Sequence, residues 1–224
     1  QELIPTKMTG VIFTADPVNQ DRNKMVLEYT KGLGGAIVSG HKKPIIKVIK
    51  KDEIRNLQPA FLRRISKIAL RLEVIFGSPQ DIEWGWDGKY IYIFQSRNIT
   101  TLDKQPKITK YFFTKNQVIG TGTIACRGIS SGPFKIIEDT KDYNKIKEGD
   151  IVLIKHKTDI TLIKTLPFIN ALMINGGILS HIAVIAREFN TPCLVEPKIN
   201  SGRVRGYINK KIIVDAIKGI ILRN

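Results

Sequence analysis

The most restrictive feature of this sequence is an apolar run that leads directly into two glycines and then into a second apolar stretch. The run over residues 170–174 has the composition of a buried strand. Gly176 and Gly177 follow it and permit a tight turn in which backbone segments approach closely. Ser180 is a suitable N-cap, and the segment after it has the apolar face of a helix. This order predicts a strand, a glycine turn and a helix, and therefore an α/β (α+β) fold.

His181 comes directly after this cap, so it is predicted to lie in the first turn of the helix. Helix N-termini carry free backbone N–H groups and the positive end of the helix dipole, which favour an anion and especially a phosphate. An imidazole at such a place can attack phosphorus and retain the phosphoryl group that it receives. The pattern therefore indicates a phosphohistidine carrier with His181 as the catalytic nucleophile. A capping or core histidine is the alternative.

A β-hairpin is predicted over residues 81–97, with its turn around Gly88. A three-residue loop with Gly88 in the left-handed region places Glu83 opposite Ile91, whereas a two-residue loop puts Glu83 and Gln95 on opposite faces. We prefer the first register because it separates polar from apolar side chains more completely. The polar face then contains Asp81, Glu83, Gln95 and Arg97. The other face, a predicted part of the core, contains Ile82, Trp84, Tyr90, Tyr92 and Phe94.

The polar face of this hairpin has a composition suited to a nucleotide. The Glu83 carboxylate, the Gln95 amide oxygen and the Arg97 guanidinium can together hold Mg²⁺ and phosphate oxygens. A surface ion pair between Glu83 and Arg97 is the alternative, and the spacing alone favours it.

The length of 224 residues suits one large domain or two small ones. Residues 102–118 contain turn formers and charges without periodicity, so we predict domains over residues 1–101 and 119–224 with a linker between them. The two cysteines have no metal-type spacing and indicate neither a disulfide framework nor a zinc site. No apolar run has membrane-spanning length, so we expect a cytoplasmic protein without a membrane partner.

The net charge of +16 is compatible with nucleic-acid binding. However, the basic residues are scattered, and aromatic residues are not interleaved with them as a base-stacking surface requires. We therefore do not expect nucleic acid as a partner. A polyphosphate ligand such as ATP accounts for only part of the charge.

The glycine–histidine segment resembles the phosphohistidine signature of the PEP-utilising enzyme family, which includes enzymes of the phosphoenolpyruvate synthase, pyruvate phosphate dikinase and rifampin phosphotransferase types. The matching residues are Gly176, Gly177, Ser180, His181, Ala186, Arg187, Glu188 and Pro192. The resemblance implies that His181 is the residue phosphorylated. It also implies that residues 119–224 form a swivelling phosphohistidine domain of β/β/α type. Within its motif, we expect four residues to support the phosphate: Gly176, Gly177, Ser180 and Arg187.

The first part of the chain resembles the ATP-binding part of the same family, which is similar to an ATP-grasp domain with antiparallel strands. Four stretches occur in the family's order, at residues 13–17, 32–34, 81–84 and 95–100, and the second of them belongs to a predicted glycine-rich loop over residues 32–35. The resemblance implies that residues 1–101 are the C-terminal part of this domain and that ATP and Mg²⁺ are cofactors. Glu83, Gln95 and Arg97 would then contact the nucleotide phosphates, with Glu83 and Gln95 holding the metal. A phosphoryl group would pass from ATP through His181 to a small-molecule acceptor.

The sequence departs from the family's pattern at two positions. Gly35 stands where the family usually has Glu, and Leu179 stands where pyruvate-using members usually have Thr. Leu179 slightly favours an acceptor other than pyruvate, such as an antibiotic, an amide or another metabolite. Phosphoenolpyruvate synthase or pyruvate phosphate dikinase, with pyruvate as acceptor, is the first alternative. A stand-alone phosphocarrier module without ATP chemistry is the second.

Two parts of the family's enzymes do not correspond to any segment of this sequence. They are the N-terminal nucleotide lobe and the PEP-binding barrel. We expect the missing lobe on the same or a separate chain, so the 224-residue chain is expected to be an incomplete phosphotransferase by itself.

Overall fold

The computed structural model of the chain describes residues 4–32, 44–102, 106–111, 113–114, 117–155, 160–199 and 204–224. The chain divides into two compact units, residues 1–103 and residues 104–224. The fold is mixed α/β, as predicted, with an antiparallel sheet in the first unit and a mixed sheet in the second. Residues 33–35 of the predicted glycine-rich loop lie outside the described residues.

In the part of the chain that the structure describes, the first unit contains a five-stranded antiparallel sheet. Its strands are β1 (Met8–Phe13), β2 (Lys24–Lys31), β3 (Ile45–Lys50), β4 (Gln80–Trp86) and β5 (Ile91–Asn98). Their order across the sheet is β3-β2-β1-β4-β5. Between β3 and β4 the chain forms a 3-10 helix over Lys51–Asn56 and then the helix α1 (Ala60–Phe76). This arrangement places the polar hairpin β4–β5 at one edge of the sheet.

Helix α1 packs against the sheet and completes the core of the first unit. Leu62, Ile65 and Ala69 recur at helical spacing and are fully buried, as the spacing predicts. They pack with sheet residues that include Ile12, Leu27, Ile82 and Trp84. Phe76 continues the same spacing but is 54% exposed, because it occupies the last turn of the helix, before the left-handed Gly77 with φ 66°.

The sheet of the second unit closes into a ring of seven strands within the described residues. The strands are β7 (Val118–Cys126), β8 (Gly128–Ile137), β9 (Ile151–Ile154), β10 (Ala171–Ile174), β11 (Cys193–Ile199), β12 (Lys211–Asp215) and β13 (Ile220–Arg223). The order around the ring is β12-β13-β7-β11-β10-β9-β8, and β8 pairs back with β12. β8, β9, β10 and β11 run parallel, whereas the other pairs in the ring are antiparallel.

Among the described residues, four connections of the second unit contain a short helix. One of them is the helix α2 (His181–Glu188), between β10 and β11, which packs against β7 and β11. The others are 3-10 helices over Thr140–Lys145, Ile160–Thr165 and Val204–Tyr207. The core inside the ring includes Phe134, Met173, Leu194, Val214 and Ile221. The predicted strand, glycine turn and helix are therefore the β10–α2 segment.

Part of the segment predicted to be a linker is bound to the sheet of the second unit. Residues Lys107–Ile108 form a short strand, β6, which pairs in parallel with β8 at Gly128 and Ile129. The Tyr111 hydroxyl donates a hydrogen bond to the buried Asp215 carboxylate. Residues 107, 108 and 111, within the segment predicted as a linker, therefore contact the second unit.

Candidate functional site

His181 is the first residue of α2, and its side chain is exposed. Ser180 precedes it at the N-cap position, with φ −59° and ψ 150°. The imidazole therefore stands beside the N–H groups that a helix leaves free at its N-terminus, as the sequence predicts. The site combines a reachable imidazole with a local electrostatic preference for an anion.

Ser180 occupies the cap position without capping the helix through its side chain. Its Oγ is buried and, within the described residues, has no hydrogen-bond partner. An unpaired buried hydroxyl costs free energy, so this group would gain from a phosphate oxygen placed beside it. Phosphate support by Ser180 stays a prediction.

The turn between β10 and α2 depends on its first glycine. Gly176 has φ 132°, in the region that favours glycine. Its N–H donates to Oε1 of Glu196 over 3.1 Å, and the Ser180 N–H donates to the Gly177 carbonyl, also over 3.1 Å. These two bonds fix the turn, whereas phosphate contact by either glycine stays a prediction.

Arg187 lies inside the second unit, only 3% exposed. Its Nη1 donates to the carbonyls of Ala125, in β7, and of Ile178, in the loop before His181, over 2.8 and 2.9 Å. In this arrangement Arg187 holds the loop from inside, through the backbone. Its direct contact with a phosphate stays a prediction.

Glu196 is a site residue that the sequence reasoning did not identify. It is followed by Pro197 in the middle of β11. A proline inside a strand often marks a bulge, and a bulge redirects the neighbouring side chains. That signal could have drawn attention to this position, although not to its bond with Gly176.

The hairpin β4–β5 brings the predicted polar residues together in a different register. Glu83 lies directly opposite Gln95, not opposite Ile91, and Asp81 lies opposite Arg97. Directly opposed residues of an antiparallel pair point to the same face, so these four side chains share one face. The predicted grouping agrees with the structure, whereas the predicted three-residue loop is wrong.

The difference in register arises at the turn. Four residues, 87–90, separate the paired Trp86 and Ile91. The Asp87 carboxylate accepts hydrogen bonds from the N–H groups of Lys89 and Tyr90, both over 2.6 Å, and from the Tyr92 hydroxyl over 2.9 Å. An Asp side chain that binds the backbone in this way stabilises a longer turn.

A bulge in β5 changes which apolar residues face the core. The register shifts between Glu83 and Trp84, so Tyr92 pairs with Gly85 and lies on the face of Glu83. Ile82 and Trp84 are fully buried, as predicted. The prediction is wrong for three other residues: Tyr92 is on the polar face, and Tyr90 and Phe94 are 52% and 42% exposed.

The ion pair on this face is not the one that the spacing favoured. Nε and Nη2 of Arg97 donate to Oδ2 of Asp81, over 2.8 and 2.7 Å, and Glu83 and Gln95 are both exposed. A carboxylate and an amide oxygen side by side suit Mg²⁺, which binds few protein oxygens and completes its shell with water and phosphate. Among the described residues, no cluster of three His, Cys, Asp or Glu side chains forms a metal cage.

Two family models match successive parts of the chain. Residues 46–116 match the pyruvate phosphate dikinase AMP/ATP-binding domain, and residues 146–219 match the mobile domain of PEP-utilising enzymes. The first match contains the whole hairpin β4–β5. The second contains the glycine turn, α2 and Glu196.

Similar proteins are phosphoenolpyruvate synthases. That of Pyrococcus furiosus is 31% identical, over 100% of this chain and 32% of its own length. A probable phosphoenolpyruvate synthase of Archaeoglobus fulgidus is 29% identical, over 99% of this chain and 34% of its own length. The Escherichia coli enzyme is 31% identical over 64% of this chain and 18% of its own length. The chain thus spans about a third or less of the relatives that it matches.

Among solved structures, holo aconitase X of Thermococcus kodakaraensis aligns over 46% of this chain and 95% of its own, with 12% identity. Its TM-score of 0.37 is too low to indicate a common fold. Both family models describe domains of PEP-utilising enzymes. The ATP-binding model matches the part of the chain with the hairpin β4–β5, and the mobile-domain model matches the later part with the glycine turn and His181. This chain belongs to the PEP-utilising enzyme family.

Proposed function

We propose that the chain is part of an ATP-dependent dikinase-type phosphotransferase, in which a phosphoryl group passes from ATP to His181 and then to a small-molecule acceptor. The observation that carries this proposal is the exposed imidazole at the N-terminus of α2, directly after a glycine turn, within the stretch that matches the mobile domain. The AMP/ATP-binding match over residues 46–116 supports ATP as the donor.

In the first step, an imidazole nitrogen of His181 attacks a phosphorus atom of the nucleotide in line. A nitrogen–phosphorus bond forms, the bond from phosphorus to the leaving nucleotide oxygen breaks, and the imidazole loses its N–H proton to solvent. The N–H groups at the start of α2 stabilise the charge on the incoming phosphoryl oxygens. In a second displacement, an oxygen or nitrogen atom of the acceptor attacks the phosphorus and the bond from the histidine nitrogen to phosphorus breaks. The proton that the acceptor loses balances the one that restores the neutral imidazole.

The face of β4–β5 that carries Glu83 would hold the nucleotide phosphates. Glu83 and Gln95 would hold Mg²⁺, which when bound neutralises phosphate charge. Arg97 already orients its guanidinium through Asp81 and has its side chain 46% exposed, so it is available to a phosphate oxygen.

The acceptor has two candidates. Leu179 is buried, 5% exposed, and stands where pyruvate-using members usually have Thr, which supports an acceptor such as an antibiotic, an amide or another metabolite. The relatives described above are phosphoenolpyruvate synthases, which supports pyruvate. Phosphorylated protein that loses its phosphate on addition of pyruvate would establish the second candidate.

The remaining nucleotide lobe would come from the same or a separate chain, since this chain spans only 32% of its Pyrococcus furiosus relative.

Within the described residues, no helix has the length and apolar character needed to cross a bilayer. We place the protein in the cytoplasm, where ATP is available. A carrier module that takes its phosphate from a partner is the alternative to direct ATP use.

The full-length protein tests this function directly. Incubation with ATP labelled at the β or γ position should give an acid-labile, base-stable adduct, as expected of phosphohistidine. The adduct should disappear in His181→Ala and persist in His41→Ala and His156→Ala, which remove the other two histidines of the sequence. Label that survives His181→Ala would exclude His181 as the carrier.

A further inference from the structure

The backbone of β11 is distorted at Glu196. Pairing of β11 with β7 passes from Val195 opposite Thr123 to Lys198 opposite Thr121, so Glu196 and Pro197 together face one residue of the partner strand. Glu196 itself has φ 51°, in the left-handed region that residues with a Cβ adopt only at a cost in free energy. Such conformations persist where surrounding contacts require them, and they concentrate at functional sites.

The contact that this distortion makes possible reaches the glycine turn before His181. β10 and β11 are parallel and pair Ile174 with Val195, so the turn after β10 and the bulge in β11 lie at the same edge of the sheet. There Oε1 of Glu196 accepts the Gly176 N–H over 3.1 Å. The bulge thus directs a half-buried carboxylate onto the first residue of the turn.

The loop from Gly176 to Ser180 is therefore held at two points by charged side chains. Glu196 holds its first residue from β11, and Arg187 holds the Ile178 carbonyl from α2 over 2.9 Å. Hydrogen bonds with an ionised partner are stronger than neutral ones, so both contacts restrict the loop that ends at His181.

We propose that Glu196 is a positioning residue for phosphoryl transfer: through Gly176 it fixes the turn that sets the place of the His181 imidazole. This inference rests on the proposed function of His181. Glu196 acts through the backbone and does not contact the phosphate. The positioning role is supported by two features of Glu196: it lies at a bulge with a left-handed φ, and its carboxylate binds the turn before His181.

The test compares Glu196→Gly and Glu196→Gln in the full-length protein. Glycine adopts a positive φ without strain, so Glu196→Gly should keep or raise the melting temperature. The same variant should nevertheless slow single-turnover phosphorylation of His181 by about tenfold or more, because even a small displacement of the attacking imidazole lowers the rate of transfer strongly. Glu196→Gln retains an acceptor oxygen and should recover part of that rate. Gln20→Gly, at another left-handed position with φ 57°, is the matched control and should leave the rate unchanged.

Three results would overturn the proposal: an unchanged rate in Glu196→Gly, a faster rate, or a loss of rate that follows a loss of melting temperature. The NMR resonance of the Gly176 amide gives a second test, which does not depend on phosphorylation. This resonance should shift in Glu196→Gly, which removes the acceptor of the Gly176 N–H, and should keep its position in Gln20→Gly. If wild-type His181 is never labelled, the proposed function fails and the positioning role with it, while the resonance still decides whether the contact exists. An absent shift would refute the contact itself.

Discussion

At the scale of single residues, each unit carries exposed groups that can meet a ligand, and the second unit also has a buried group that holds the loop before His181 in place. His181, Glu83 and Gln95 are exposed, whereas Arg187 is 3% exposed and bound to two backbone carbonyls. The two classes should respond differently to substitution. Loss of an exposed group should affect phosphoryl transfer, and loss of a buried group should affect stability first.

Glu83 provides a prediction for the exposed class. In the full-length protein, Glu83→Ala should lower Mg²⁺-dependent phosphorylation of His181 by about tenfold or more, because the variant lacks a carboxylate that we propose as a metal ligand. The free energy of unfolding should change by only about 0–1 kcal/mol, as expected for a surface carboxylate. Glu53→Ala removes another exposed carboxylate, one paired with Lys50 over 2.9 Å, and serves as the control. Equal rates in the two variants would exclude Glu83 as a metal ligand.

The sequence predicts single residues well where one local rule decides their place. His181 follows a cap residue and is the first residue of its helix. Glu196 was not predicted because its role depends on a hydrogen bond to Gly176, twenty residues earlier in the chain, across two neighbouring strands. No periodicity or cap signal records such a contact.

At the scale of elements, one carboxylate determines the geometry of the hairpin β4–β5. Asp87 accepts two backbone N–H groups and the Tyr92 hydroxyl, which extends the turn to four residues. The bulge in β5 then moves Tyr92 to the face of Glu83. Polar grouping could be predicted from alternation alone, whereas the register could not, because it depends on turn chemistry and on one extra residue in β5.

The pH dependence of stability should report on Asp87. The Tyr90 N–H and then the Lys89 N–H hold the pKa of this carboxyl below its ordinary value of 3.8. A lowered pKa in the folded state means that the ionised group stabilises the fold near neutral pH, and that this contribution is lost as the pH falls through the lowered pKa. The wild-type protein should therefore exceed Asp87→Asn in unfolding midpoint at about pH 7, and the difference should shrink below about pH 4.

Tryptophan fluorescence can measure the unfolding midpoint of this unit, since the only two tryptophans of the sequence, Trp84 and Trp86, both lie in β4. Urea midpoints of the two proteins would be compared at each pH. A difference that stays constant from neutral to acid pH would show that the charge of Asp87 does not stabilise the turn.

At the scale of the whole molecule, the chain is organised as two compact units with different sheets. The predicted domains, residues 1–101 and 119–224, rest on composition, because residues 102–118 lack periodicity, and they stay a prediction. Closure of the second sheet could not be predicted, since the ring depends on pairing of Ile213 with Ser131, far apart in sequence. Long-range pairs of this kind follow from the complete set of strands and not from any one of them.

The final prediction concerns the 224-residue chain by itself, which we expect to be folded but to bind Mg·ATP weakly. Each unit has its own buried core, so thermal unfolding should be cooperative, and two transitions are expected. The groups proposed to contact the nucleotide are Glu83, Gln95 and Arg97, which are exposed and therefore screened by solvent. The chain also spans only about a third of its relatives, so an adenine-binding surface is expected from the remaining sequence. Calorimetric titration is the direct measurement. Micromolar affinity, about −8 kcal/mol, would show that this chain holds a complete nucleotide site, whereas weak binding by a normally folded chain would agree with the proposal.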